Sequence, residues 1–342
     1  MSKTVPVDAA VGMVLPHDIT EIRKGEFKGR AFRKGHIIRP EDVEHLKRLG
    51  KEHIYVLELS RDDIHENEAA ELMARALAGP GTSVSGEPVE GKLNIIAAHD
   101  GLLKVDSEAL CRFNMLGEVM CATLHNNTPV KQGELIAGTR LIPLVSKRPV
   151  VESAVEIARK AQGILSVAIL RKARTGLIIT GNEVFHGRIK DAFEPVLRKK
   201  LEQLGSEVVA VRFAPDSAET IAREIKDCLA SGADLIVTSG GMSVDPDDVT
   251  RMGIALAGTT DIAYGTPVLP GAMFLVGYLD GVPVLGLPAC GMFHKITVFD
   301  LILPRVLAGE KIGRHELAVL GHGGLCRQCK SCVYPICGFG KE

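Results

Sequence analysis

From residue 174 to residue 303, short apolar runs alternate with segments of helical periodicity. Residues 177–179 and 235–237 have the length and composition of buried strands, and 193–204 and 217–230 have the pattern of amphipathic helices. Parallel strands need a crossover of a dozen or more residues for each return, and a helix usually provides it. The alternation therefore predicts an α/β domain built on a parallel sheet.

The rest of the chain is long enough for further domains, since it has 342 residues in all. We expect an N-terminal α+β module (1–78), a β-rich module (90–149), the α/β domain (150–310) and a Cys-rich tail (320–342). The glycine- and serine-rich segment 79–86 is interpreted as a linker between the first two modules.

Composition argues against several classes of function. Lys+Arg 41 against Asp+Glu 42 leaves a net charge of −1, which offers no basic field for a nucleic-acid backbone. Aromatic residues make up 4% and Trp is absent, so few side chains could stack on bases. No apolar run approaches a membrane span and the N-terminus lacks a signal pattern. We expect a cytoplasmic protein that binds neither nucleic acid nor membrane, with homo-oligomerisation left open.

Three polar loops follow the predicted strands that end at Ile179, Val237 and Leu285. The carboxyl ends of parallel strands share one edge of the sheet, and ligands bind there. The loops combine glycines, hydroxyls and acids, which suits an anionic ligand with a divalent cation. In the second loop, the glycine-containing turn 238–243 lets backbone N–H groups converge on an anion.

Asp245, Asp247 and Asp248 are the candidate magnesium ligands of the second loop. Magnesium is commonly held by one or two carboxylates together with phosphate oxygens of the ligand. A helix predicted over 246–256 offers another interpretation, in which Asp245 is the N-cap and the acids complement the helix dipole. The sequence alone leaves both interpretations open.

Four motifs occur in order along the α/β region: Thr180-Gly-Asn-Glu-Val, Gly187-Arg-Ile-Lys-Asp, Ala233-Asp-Leu-Ile-Val-Thr-Ser-Gly-Gly-Met-Ser-Val and Gly286-Leu-Pro. Together they resemble the molybdopterin-binding fold of molybdenum-cofactor biosynthesis, whose members include molybdopterin molybdotransferases and the gephyrin E domain. The segment from Phe32 to Val56 also resembles the region that precedes this domain in the molybdotransferases.

The resemblance implies a pterin cofactor as the ligand, with the Thr-Ser-Gly-Gly turn holding its phosphate. It implies acidic catalytic positions at Glu183, Asp191 and Asp234, and a metal-assisted insertion of molybdate into the dithiolene. The implied cofactor-binding positions are Thr180, Gly181, Thr238, Ser239, Gly240, Gly241, Ser243, Gly286 and Pro288.

Two departures separate the chain from the molybdotransferases. Their Lys-Pro-Gly-Lys-Pro loop corresponds to Val268-Leu-Pro-Gly-Ala-Met, which has neither lysine, and their Gly-Leu-Pro-Gly-Asn-Pro corresponds to Gly286-Leu-Pro-Ala-Cys-Gly. Our leading interpretation is a molybdopterin-binding protein of cofactor maturation with a molybdotransferase-like activity. Two alternatives stay open: a non-catalytic carrier or insertion chaperone for a molybdoenzyme client, and a nucleotide pyrophosphatase of the CinA-like branch, which segment 244–250 resembles.

Four of the eight cysteines lie close together near the C-terminal end, at Cys326, Cys329, Cys332 and Cys337. The spacing C-x2-C-x2-C-x4-C predicts one centre held by four thiolates, either zinc or an iron–sulfur cluster. The bacterial ferredoxin run has three residues in the last gap, where this chain has four including Pro335. We favour structural zinc, with a docking role for the tail; disulfide pairing is the alternative.

Overall fold

The computed structural model describes residues 2–23, 27–57, 61–243, 245–246 and 248–341. The chain divides into two compact units. The N-terminal unit comprises Met1–His99, Val105–Leu124 and Gln132–Val167, and the C-terminal unit comprises Asp100–Lys104, His125–Lys131 and Ala168–Glu342. Within the described ranges, no helix is both long enough and apolar enough to cross a membrane.

Strands and helices are named in chain order. The strands are β1 (Ser2–Pro6), β2 (Ile19–Arg23), β3 (Phe27–Phe32), β4 (His53–Leu57), β5 (Asp63–His65), β6 (Thr82–Val89), β7 (Lys92–Ala97), β8 (Gly101–Val105), β9 (Val119–Thr123), β10 (Pro129–Val130), β11 (Leu135–Leu141), β12 (Val145–Lys147), β13 (Leu165–Ala168), β14 (Arg174–Thr180), β15 (Glu207–Ala214), β16 (Leu235–Ser239), β17 (Thr260–Tyr264), β18 (Leu275–Leu279) and β19 (Val282–Leu287). The α-helices are α1 (Pro40–Arg48), α2 (Glu66–Leu77), α3 (Ser107–Asn114), α4 (Arg148–Lys160), α5 (Asn182–Phe185), α6 (Phe193–Gln203), α7 (Ala218–Ala230), α8 (Thr250–Leu256), α9 (Val298–Leu307) and α10 (Arg314–Ala318).

Besides the short antiparallel pair of β5 and β12, two larger antiparallel regions are described in the N-terminal unit. In the first, β1 pairs with β4 and β2 with β3, around a core that includes Val7, Leu15, Ile38 and Leu46. The second is a four-stranded sheet of order β6-β7-β11-β9, against which α2 packs.

The segment 79–86 is not a linker, because β6 begins inside it at Thr82 and pairs antiparallel with β7. The chain reverses between the two strands at Glu90 and Gly91, which have φ of 51° and 70°. β6 lies at the edge of its sheet and none of its residues is fully buried. It therefore lacks the apolar alternation by which a strand is recognised in sequence.

The C-terminal unit is built on a six-stranded sheet of order β15-β14-β16-β19-β18-β17. The first four strands are parallel, which confirms the predicted α/β class. The sheet continues antiparallel through β18 and β17. β18 and β19 are joined by a tight turn at Asp280 and Gly281, and a connection that short permits only antiparallel pairing.

Both faces of this sheet are covered. Phe193, Leu197 and Leu201 of α6 pack on one face together with the apolar residues of α9. Ile221 and Ile225 of α7 pack on the other face, next to α8. A parallel sheet needs this double cover because its strands are apolar on both sides, and the ligand-binding edge is left to the loops.

A buried histidine lies in the N-terminal unit. His65 Nδ1 is 2.6 Å from Lys34 Nζ and accepts a hydrogen bond from Asn67 N (3.1 Å). With two donors facing Nδ1, the ring proton is on Nε2 and is donated to the Pro16 carbonyl (2.9 Å). Burial lowers the pKa of His65; the bond to Pro16 opposes this effect and the Lys34 charge adds to it.

We predict that this histidine makes the N-terminal unit less stable in mild acid. The folded-state pKa lies below the ordinary value of about 6.5, so the unfolded chain takes up the proton first, and stability falls as pH drops from about 7 to about 5. His65→Gln should flatten that slope in a series of denaturant unfolding curves. A variant with the parent's slope would contradict the assignment.

Candidate functional site

The three loops expected to share one edge of the sheet do so. β14, β16 and β19 are adjacent parallel strands, and their register places Ile179 beside Ser239 and Ser239 beside Leu287. The strands end at Thr180, Ser239 and Leu287, so the loops that follow emerge side by side. This is the edge at which open α/β sheets bind ligands.

The turn after β16 requires its two glycines. Gly240 and Gly241 have φ of 87° and 57°, in the left-handed region. A Cβ on Gly240 would lie 2.8 Å from the Thr180 carbonyl oxygen, and one on Gly241 would lie 2.3 Å from Thr250 Oγ1. The backbone of the turn is therefore packed closely against its neighbours and presents no side chains at these two positions.

A chain of hydroxyl groups holds this turn against the first strand. Thr180 Oγ1 donates to the Ser239 carbonyl (2.9 Å), so Thr250 Oγ1 is the donor to Thr180 Oγ1 (3.0 Å). Thr238 Oγ1 donates a longer bond to the Leu285 carbonyl (3.4 Å). Ser239 Oγ is buried and has no hydrogen-bond partner among the described protein atoms. The turn thus contains one buried hydroxyl with unused hydrogen-bonding capacity.

The third loop supports the turn from the other side. Gly240 N donates to the Leu287 carbonyl (3.1 Å). Gly286 lies against Met242, since a Cβ there would be 2.7 Å from Met242 Cε. Pro288 follows, and the chain then forms a short 3-10 helix over Ala289–Met292.

A cavity of about 570 Å³ opens where these loops meet. Of the positions that the family resemblance implies, Gly241, Ser243 and Pro288 line it, and so does Asp248, one of the candidate magnesium ligands. Thr180, Gly181, Thr238, Ser239, Gly240 and Gly286 do not line it. The remaining walls come from the loop after Val268, from the region of Cys290 and His294, and from the C-terminal tail. The full lining is Gly241, Met242, Ser243, Asp248, Leu269, Pro270, Gly271, Ala272, Met273, Pro288, Ala289, Cys290, His294, Leu325 and Gln328.

Glu183 and Asp191, the acids of the first loop, do not line this cavity, and their carboxylates lie against neighbouring residues of the chain. Asp191 accepts hydrogen bonds from Phe193 N and Glu194 N, both at 2.9 Å, and so caps the start of α6. Glu183 is exposed, and its carboxylate folds back over Gly181, where a Cβ would lie 2.7 Å from Glu183 Oε1.

The helix predicted over 246–256 begins later, and Asp245 does not cap it. α8 starts at Thr250 with Val249 at its N-cap. Asp245 and Asp248 are instead bonded to each other, since Asp248 N donates to the Asp245 carbonyl (2.9 Å) and Asp245 N donates to Asp248 Oδ2 (3.2 Å). Asp245 is exposed, whereas Asp248 reaches the cavity wall. Asp247 lies outside the described residues.

Asp234 lies away from the candidate site. It precedes β16, so it lies at the amino end of that strand, opposite the edge that carries the loops. Its carboxylate accepts hydrogen bonds from Arg171 Nη1 (2.7 Å) and Arg174 N (2.9 Å). In this structure Asp234 joins chain segments at the far end of the sheet.

Sequence reasoning missed two residues that position the turn. Tyr264 Oη donates to the Met242 carbonyl (2.7 Å), and Arg251 lies over the Tyr264 ring at 4.3 Å while donating to the Ser243 carbonyl (3.3 Å). Tyr264 is in the antiparallel strand β17, which no motif connects to the turn. Only the folded sheet brings these residues together.

The C-terminal tail forms part of the site. Leu269 N donates to the Gly324 carbonyl and Cys326 N donates to the Leu269 carbonyl, both at 2.8 Å. This bridge joins the tail to the loop that lacks the two lysines of the molybdotransferases. The cysteines Cys326, Cys329, Cys332 and Cys337 all line a second cavity of about 470 Å³. In the described part of the chain, no three His, Cys, Asp or Glu side chains are grouped tightly enough to hold a metal ion.

Family comparisons agree with this geometry. Residues 176–308 match the family described as "Probable molybdopterin binding domain", and residues 4–58 match "Domain of unknown function (DUF8806)". Over residues 176–308, the sheet domain of the C-terminal unit is therefore similar to the α/β domains of the first of these families, and this match covers less than half of the chain.

Individual relatives cover parts of the chain. A molybdopterin molybdenumtransferase from Haemophilus influenzae is 28% identical over 193 residues, which are 53% of this chain and 45% of that protein. A CinA-like protein from Mycobacterium sp. (strain JLS) is 39% identical over 83 residues, 24% of this chain and 20% of that protein. The solved structure of the molybdopterin biosynthesis enzyme MoaB from Thermus thermophilus is 21% identical, covers 40% of this chain and 98% of its own, and has a TM-score of 0.35. The chain spans less than half of these two curated relatives.

We predict that Gly241→Ala destabilises the C-terminal unit more than Gly309→Ala. Both glycines have positive φ, which costs a residue with a Cβ about 1 kcal/mol, but a Cβ at Gly309 meets nothing within 4 Å. The clash with Thr250 Oγ1 should raise the loss at Gly241 to roughly 2 kcal/mol or more in denaturant unfolding. Equal losses in the two variants would show that the turn is not closely packed.

Proposed function

We propose that this chain binds molybdopterin at the carboxyl edge of its sheet and acts in molybdenum-cofactor maturation. The observation that carries the proposal is a cavity of about 570 Å³ at the carboxyl edge of the sheet, inside the region that matches the molybdopterin-binding family. Gly241 and Ser243 of the loop after β16 and Pro288 of the loop after β19 line this cavity, so a ligand phosphate can reach the glycine turn at Gly241.

Magnesium fits this proposal as a shared ion. Asp248 supplies a carboxylate on the cavity wall, which Ser243 also lines. Asp245, which is exposed, is hydrogen-bonded to Asp248. One or two protein carboxylates plus phosphate oxygens are the usual ligands of Mg²⁺. Asp248 would therefore hold the ion jointly with the pterin phosphate, with water filling the remaining positions.

Carriage of the cofactor to a molybdoenzyme client is the activity we favour. The loop after Val268 contributes Leu269, Pro270, Gly271, Ala272 and Met273 to the cavity, so this wall is apolar where the molybdotransferases have lysines. An apolar wall suits a pterin ring better than free molybdate. Metal-assisted molybdate insertion is the second candidate, supported by the 28% identity to the Haemophilus influenzae enzyme.

We also propose a metal centre in the C-terminal tail. The four tail thiols would bind either one zinc ion or one iron–sulfur cluster, as the spacing predicts. Cytoplasmic location and a homo-oligomeric state are also kept as proposals.

Anaerobic purification followed by mass spectrometry of released small molecules tests the main proposal. We expect a phosphate-bearing pterin to co-purify, and a metal-free preparation to bind added molybdopterin in calorimetric titration. Nucleotides serve as competitors because the CinA-like branch is the alternative reading of segment 244–250. Binding of a nucleotide together with no binding of molybdopterin would overturn the proposal and favour the pyrophosphatase.

We predict that Asp248→Asn removes most of the magnesium dependence of pterin binding. The substitution should weaken binding roughly tenfold with Mg²⁺ present and leave it nearly unchanged with EDTA, because one charged ligand of the ion is lost. The melting temperature should hold, since an Asn oxygen can still accept from Asp245 N. Asp227→Asn is the matched control, an exposed charge change near the end of α7. A lower melting temperature with unchanged binding would instead assign Asp248 to the turn alone.

A further inference from the structure

We propose that the four tail cysteines hold a four-iron iron–sulfur cluster, and that this cluster lies beside the pterin cavity and fixes part of its wall. The second half of the proposal rests on the proposed pterin binding; the first half does not. Its starting point is that Cys326, Cys329, Cys332 and Cys337 all line one cavity of about 470 Å³.

The arrangement of the thiols suits a cluster better than the zinc expected from the spacing. A Zn–S bond of about 2.3 Å requires four sulfurs roughly 3.8 Å apart around one ion. A cluster brings its own iron and sulfide atoms, so its ligand sulfurs lie farther apart. The four cysteines of this tail line one cavity, and among the described residues no three of them are grouped closely enough to hold a single metal ion. The C-x2-C-x2-C part of the run is that of the bacterial ferredoxins, whose clusters have four irons.

The turn between the first two cysteines directs a backbone donor at a proposed ligand sulfur. Gln328 N donates to Cys326 Sγ at 3.5 Å. Gln328 adopts φ of 50°, which is uncommon for a residue other than glycine. Hydrogen bonds to the ligand sulfurs are among the factors that set the potential of an iron–sulfur cluster.

Residues near both ends of the tail pack on the rest of the C-terminal unit. Cys326 is held by its bond to the Leu269 carbonyl, and Phe339 is 5% exposed in the core of the sheet domain. Gly340 N donates to the Gly323 carbonyl (2.9 Å), and a Cβ on Gly340 would lie 2.3 Å from Leu301 Cδ2. Cys326 and Cys337 pack against that core, whereas Cys329 and Cys332 are exposed. Two of the proposed ligands thus pack against the domain core, and the two between them lie at the surface.

The charges around the cavity also suit a thiolate-ligated centre. Lys295, Arg327 and Lys330 line it together with the four cysteines. Four thiolates around a cluster leave net negative charge, and neighbouring cations offset it. Among the described residues that line this cavity there is no carboxylate side chain.

The cysteine cavity and the pterin cavity share a wall. His294, Leu325 and Gln328 line both. Leu325 precedes Cys326 directly, and Gln328 precedes Cys329, so ligation of these two cysteines fixes the backbone that carries the shared residues. A ligand in one cavity and a cluster in the other should therefore strengthen each other's binding, because such coupling is reciprocal.

The test uses the whole chain produced and purified without oxygen. We expect about four iron and about four acid-labile sulfide per chain, with a brown colour. Cys329→Ser and Cys332→Ser should lose the iron, and both remove exposed thiols rather than packed ones. The control is Cys111→Ser, an exposed cysteine of the N-terminal unit, which should keep the full cluster. Melting curves for each variant show that the domain remains folded.

Titration with molybdopterin released anaerobically from a molybdoenzyme then tests the shared wall. We expect the cluster-free variants to bind it roughly tenfold more weakly than the Cys111→Ser control. A colourless protein with one zinc per chain would overturn the cluster assignment. Equal pterin affinity with and without the cluster would overturn the proposed coupling between the two cavities. A protein that carries the cluster but binds no pterin would refute the proposed function and leave the cluster assignment standing.

Discussion

Parallel pairing of β14, β16 and β19 is the constraint on which the site depends. The pairing places Ile179 beside Ser239 and Ser239 beside Leu287, so three chain segments far apart in sequence leave the sheet at one place. The hydroxyl bonds from Thr180 to Ser239 and from Thr250 to Thr180 join the first strand, the glycine turn and the start of α8. The turn keeps its shape because strands on both sides hold it, and because glycine at positions 240 and 241 lets its backbone pack against Thr180 and Thr250.

The sequence predicted what depends on local pattern. The parallel part of the sheet follows from alternating strands and helices, and the position of the glycine turn follows from its place at a strand end. Individual acids were harder to place. Asp234 is adjacent in sequence to the strand that carries the turn, yet strand direction puts it at the opposite end. Pro246 has the character of a first helical residue, but the bonds between Asp245 and Asp248 close a turn first and α8 begins only at Thr250.

Other features could not be read from the sequence because tertiary contacts decide them. β6 is an edge strand with no buried face, so its composition is that of a loop. Tyr264 supports the turn through a single hydroxyl bond to Met242, and β17 reaches that position only because the sheet continues antiparallel beyond β19. The metal centre that the cysteine spacing predicts stays a prediction. Which metal suits it depends on how far apart the folded chain holds the four thiols, and the spacing of cysteines along the sequence does not report that distance.

The loop that lacks the two lysines of the molybdotransferases is joined to the C-terminal tail by a backbone bridge. Both the N–H and the carbonyl of Leu269 are bonded to the tail, so the loop that would carry those lysines serves here as the support for Cys326. The positive charges of Lys295, Arg327 and Lys330 line the cysteine cavity and not the pterin cavity. These cations therefore lie beside the thiols, where the proposed cluster would need them, while the wall formed by the loop after Val268 is apolar. Under the proposed function, that apolar wall would contact the pterin ring, because it offers no cation to a free oxyanion.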